Sequence, residues 1–73
     1  MAGLNPMQVW FIQEYFINLG YAVSIYGRDG IVVLELFPMD DDLPVAPIRG
    51  RIREIEEFLS EKLGRTIRIK LID

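Results

Sequence analysis

Arg49, Arg51 and Arg53 alternate at the opening of a segment with helical spacing, and they are the side chains of this 73-residue chain best suited to chemistry. Guanidinium groups beside the free amide donors of a helix start make an anion site, able to hold a phosphate or a partner's carboxylate. The helix dipole favours negative side chains at that end, so three cations there break a local rule, and such breaks often mark function. The same stretch also supplies the means to neutralise them. Asp40, Asp41 and Asp42 arrive just before, and Arg53 can pair with Glu57 one turn on, a contact worth about 0.2–0.5 kcal/mol. Mutual neutralisation is the favoured expectation, and an anion site at Arg49, Arg51 and Arg53 is the alternative.

The three aspartates could chelate a hard cation through oxygen ligands, but they lack the alternating spacing and trailing glutamate of a calcium loop. A solvated, self-repelling turn is the simpler expectation, with no metal and no cofactor. Enzymatic groups are scarce. The chain has no histidine and no cysteine, which removes the commonest general base, the commonest nucleophile and the soft metal ligands. Its aliphatic hydroxyls are Ser24, Ser60 and Thr66, and the sequence places no base beside any of them. No phosphate-cradling glycine loop or dinucleotide fingerprint is present. No catalytic residue is assigned and an enzyme is not expected.

The remaining candidate is a surface. At 100° per residue, Val9, Ile12, Phe16 and Leu19 make the core face of an amphipathic helix. Trp10 and Ile17 fall on one flank of that face, while Phe11 and Tyr15 stack four apart on the other side with Met7 nearby. Only Gln8, Gln13, Glu14 and Asn18 interrupt the girdle. A helix apolar nearly all round is normally buried nearly all round, yet a chain of this size removes only about 60% of its unfolded surface from water. Met7, Trp10, Phe11, Glu14 and Tyr15 are therefore the expected partner-binding residues. The expected partner is a protein, foremost a second copy in a two-fold dimer. Nucleic acid is the lesser alternative, and a membrane is not expected.

Composition agrees with a small soluble body. Half the residues are apolar and the mean hydropathy is positive, but no run approaches the roughly 20 apolar residues of a membrane span. No basic segment precedes an apolar run at the N-terminus, so a secretory signal is not expected, and the lack of cysteine weakly favours a reducing, cytoplasmic compartment. Charge is uneven. Residues 1–47 carry a net −5 and residues 48–73 a net +2, for a total of −3. That total argues against a general nucleic-acid binder.

The elements that must position these residues are written plainly. Asn5, Pro6 and Gln8 give a helix start with a capping box, Leu4 and Val9 stand where a hydrophobic staple packs, and Gly20 ends a helix running from about Pro6 to Leu19. Tyr21–Tyr26 and Ile31–Phe37 are β-rich runs around Gly27-Arg28-Asp29-Gly30. A turn at Arg28-Asp29 pairs Ile25 with Val32, and one at Asp29-Gly30 pairs Ile25 with Leu34. Both keep Val23, Ile25, Val32, Leu34 and Leu36 on one face.

A loop from Pro38 to Ala46 follows. Ile48, Ile52, Ile55, Leu59 and Leu63 form the stripe of a second helix that Gly64 stops, with Gly50 delaying its regular start to near Arg51. Thr66–Ile72 is the last strand.

The expected fold is α+β: one domain over residues 1–73, order α-β-β-α-β, a two-layer sandwich of a three-stranded sheet with both helices on one face. This element order is similar to that of type II KH domains and of the ring-building domains of secretion systems. The KH-type G-x-x-G loop is missing before the second helix, where Gly50 is the sole glycine.

Overall fold

The computed structural model describes residues 3–40 and 46–72. In chain order they form helix α1 (Pro6–Ile17), strands β1 (Tyr21–Arg28) and β2 (Ile31–Pro38), a short helix α2 (Ala46–Arg49), helix α3 (Ile52–Leu63) and strand β3 (Ile67–Leu71). The sheet order is β1-β2-β3, antiparallel in the first pair and parallel in the second. This is the expected α+β arrangement. The strand order, open in the sequence, follows from α3 carrying the chain back so that β3 lies beside β2 in the same direction, as a β-α-β crossover requires.

Each element forms for a local reason. At the start of α1 the Gln8 N–H donates to Asn5 Oδ1 at 2.8 Å and the Asn5 N–H donates to Gln8 Oε1 at 3.0 Å. Two otherwise orphaned amides are thereby satisfied. Leu4 is buried and Val9 packs against the same core, as a staple should. The helix ends two residues earlier than expected. The Leu19 N–H donates to the Phe16 carbonyl (3.0 Å) and the Gly20 N–H to the Ile17 carbonyl (2.9 Å), so the last turn tightens before Gly20 adopts φ +93°. Leu19 thus leaves the helical face assigned to it and is 45% exposed rather than part of the core.

The hairpin closes through Asp29 (φ +53°) and Gly30 (φ +80°). Two successive positive φ values make a type I′ turn, whose twist matches the flanking strands. Of the two registers open in the sequence this selects the one with Arg28 opposite Ile31 and Ile25 opposite Leu34. Gly50 and Arg51 interrupt the second helical segment, and α3 begins at Ile52, one residue beyond the expected Arg51. Gly64, with φ +66°, ends α3, its N–H donating to the Ser60 carbonyl.

One core joins the layers. Ile12 and Phe16 of α1, Ile48 of α2, and Ile55 and Leu59 of α3 cluster with Tyr21, Val32, Leu34, Leu36 and Ile67. Both main helices therefore cover the same sheet face, α1 over β1 and α3 over β3. On the other face Ala22, Ser24, Arg68 and Lys70 are exposed. No helix among the described residues is long and apolar enough to cross a membrane.

Candidate functional site

Helix α1 has to bury one face, and Ile12 and Phe16, both fully enclosed, define which one. Rotating from that face, Phe11 and Tyr15 point towards α3. The Phe11 and Tyr15 ring centroids lie 6.3 Å apart, Tyr15 meets Phe16 edge-on at 5.1 Å, and Tyr15 stacks on Phe58 of α3 at 5.9 Å. Offset and edge-to-face pairs of this kind add about 0.5–1.5 kcal/mol beyond area burial. Phe11 and Tyr15 are half-buried and pack against the core.

Trp10 turns the other way. It is 56% exposed, with Met7 at 72% and Ile17 at 46% on the same outer side of the helix. Of the five residues expected to bind a partner, the structure keeps Met7 and Trp10 exposed, leaves Glu14 half-buried between them, and turns Tyr15 onto Phe58 of α3 with Phe11 packed beside Tyr15. The 100° between Trp10 and Phe11 is what separates them.

Sequence reasoning left two participants out of the site. Ile17 shares the Trp10 flank but was not assigned to the surface. Phe58 is nearly half exposed and closes over Tyr15, one position before the core residue Leu59. The same angular argument applied to α3 finds it, since it lies just off the Ile52-Ile55-Leu59 stripe.

The arginines are dispersed. Arg51 Nε lies 3.5 Å from Glu54 Oε2 and Arg53 Nε 3.8 Å from Glu57 Oε1, both pairs largely exposed. The second is the expected one-turn pairing. Arg49, Arg53 and Arg68 line a groove of about 760 Å³ along α3, but Glu56 and Glu57 line it with them, and Arg51 does not reach it. Arg65 lies against Gly3, whose φ of +76° favours glycine and where a Cβ would push aside the flexible end of that guanidinium. Asp40 is exposed, and Asp41 and Asp42, assigned to neutralise the arginines, lie outside the described residues. Among the described residues no group of three or more acids is placed to hold a metal ion.

The two sheet edges differ. In β3 the Ile67 N–H donates to Ser60 Oγ at 3.0 Å and the Ile69 N–H to Glu56 Oε2 at 2.7 Å. Side chains of α3 thus cap that edge, and Arg68 and Lys70 flank it with charge. Strand β1 receives no such cap between Ala22 and Arg28 from any described residue.

Compared with protein-family models, with curated proteins and with solved structures, the chain matches none.

Proposed function

We propose that the chain is a small non-enzymatic protein-interaction module that docks through the outer face of α1, foremost on a second copy of itself. The observation that carries this reading is the exposure of Trp10, the chain's single tryptophan, beside Met7 and Ile17 on one helix side. Large aromatics and methionine are enriched in interface cores, and contiguous apolar surface on a small domain marks contact sites. The composition agrees, since histidine and cysteine are both missing.

The test is sedimentation of the parent chain and of the Met7→Gln/Trp10→Gln variant over a range of concentrations. Both substituted side chains stand outside the core, so the fold should persist. Phe11 is a poor probe because it packs against that core. The parent is expected to form a dimer that the variant loses. Equal monomeric masses for the two would remove the self-association reading.

The groove that gathers Arg49, Arg53 and Arg68 supports a second reading, a phosphate-ligand or nucleic-acid module. Its binding would weaken steeply with salt, whereas apolar association would not. Failure to bind RNA and DNA oligomers at low salt would eliminate it.

A further inference from the structure

The two edges of the sheet are treated differently, and the untreated one lies under the exposed flank of α1. An edge strand is a template for pairing, which proteins usually block with charge, proline, bulges or a covering element. Strand β3 has side-chain caps on Ile67 and Ile69 and charge at Arg68 and Lys70. Between Ala22 and Gly27 strand β1 receives no such device from any described residue. From Tyr15 to Gly27 the chain carries no charged residue at all.

The geometry shows which backbone groups are on offer. The Met39 N–H donates to the Gly20 carbonyl at 3.0 Å, and the β1–β2 register pairs Arg28 with Ile31 across the turn. Antiparallel bonding alternates along the strand, so the even-numbered residues of β1 bond to β2. Val23, Ile25 and Gly27 then direct their N–H and C=O groups away from the sheet. Above them lies α1. Its Phe11–Tyr15 side faces α3, and α3 sits over β3, so the opposite flank, with Trp10 and Ile17, overhangs the β1 edge.

Resting on the contact surface proposed above, we propose that the partner is a second copy of this chain, joined through antiparallel β1–β1 pairing into a continuous six-stranded sheet. Symmetry narrows the arrangement. A two-fold axis that sets the two β1 strands side by side and antiparallel must run perpendicular to the sheet. Both pairs of helices then lie on one face, and residues on the same face of each strand stand opposite each other. Dyads through Ser24 or through Ile25 meet this condition and bring the outward groups of Val23 and Ile25 into register. Either dyad carries the two α1 flanks towards each other, so that Trp10 and Ile17 are covered by their own copies. The lack of charge from Tyr15 to Gly27 favours this occupant, because two copies of a chain with net charge −3 repel least where neither carries charge. A nucleic-acid partner finds no cation on this edge before Arg28.

The experiment combines Ser24→Lys and Trp10→Gln with amide hydrogen exchange of the parent. Ser24 is exposed on the open sheet face at the proposed junction, so lysine there alters pairing without entering the core. Ser24→Lys should weaken the dimer by about three- to tenfold, as an edge lysine does. The Val23, Ile25 and Gly27 amides should gain protection as protein concentration rises. If the dimer withstands Ser24→Lys and these amides exchange fast at every concentration, while Trp10→Gln still breaks it, the edge pairing is overturned and the α1 contact stands. Loss with Ser24→Lys but not with Trp10→Gln would instead retain edge pairing and overturn the α1 contact. A monomeric parent at near-millimolar concentration overturns both.

Discussion

Replacing Glu56 by alanine should cost far more than replacing Glu57, although the two are neighbours on the same helix. Glu56 Oε2 accepts from the half-buried Ile69 N–H at 2.7 Å and holds the edge of β3 under α3. A hydrogen bond to a charged group is worth about 1.5–3 kcal/mol net, and partial access of water to this amide places Glu56→Ala near the lower end, about 1.5 kcal/mol. Glu57 makes only an exposed 3.8 Å pair with Arg53, worth less than about 0.5 kcal/mol. Both changes are Glu→Ala inside α3, so helix propensity cancels between them. In a domain of this size 1 kcal/mol moves the melting temperature by about 4–8 °C. Thermal unfolding followed by circular dichroism should then show a fall of about 6–12 °C for Glu56→Ala and at most about 4 °C for Glu57→Ala. Glu56→Gln, which keeps an acceptor oxygen without the charge, should fall between. Melting points for the two alanine variants within about 2 °C of each other would refute the capped edge as a stabilising device, and with it the contrast between the two sheet edges.

Two further outcomes test the backbone reasoning. Gly30→Ala meets no atom within 4 Å but must adopt φ +80°, so it should cost about 1–2 kcal/mol in urea unfolding from backbone strain alone, with an unchanged denaturant slope. Gly50→Ala sits at an exposed position without positive φ, between α2 and α3, and should be neutral or raise stability by up to about 1 kcal/mol in the same assay.

Much of the fold was legible because several local signals agreed. Asn5, Pro6 and Gln8 mark the start of α1 through hydrogen bonds that close within four residues, and such contacts need no tertiary information. The alternation in β1 and β2 identified the inner face, whereas the register depended on which two residues could take positive φ. The structure selects Asp29 and Gly30 over Arg28 and Asp29. The end of α1 was misplaced because Gly20 closes a tightened turn rather than capping the helix directly, and that choice exposes Leu19. Strand order was unreadable, since it depends on where the chain re-enters after residues that carry no pattern.

The candidate site was legible only in part. Helical angles locate Met7 and Trp10 on the outer side correctly, but they cannot say which flank another helix will cover. Phe58 of α3 decides that, stacking on Tyr15, against which Phe11 packs, while Trp10 stays uncovered. The caps supplied by Ser60 and Glu56 were equally hidden. Both look like ordinary polar residues on α3 until β3 is laid beside it.

The environment of Trp10 tests the central claim most directly, because the chain has one indole and its fluorescence reports on one place. Emission and acrylamide quenching should be followed from sub-micromolar to near-millimolar protein. A contact through α1 predicts a solvent-exposed, readily quenched indole at the dilute end, and blue-shifted, protected emission as the dimer forms. An indole equally exposed across the whole range, in a particle that stays monomeric, would contradict it.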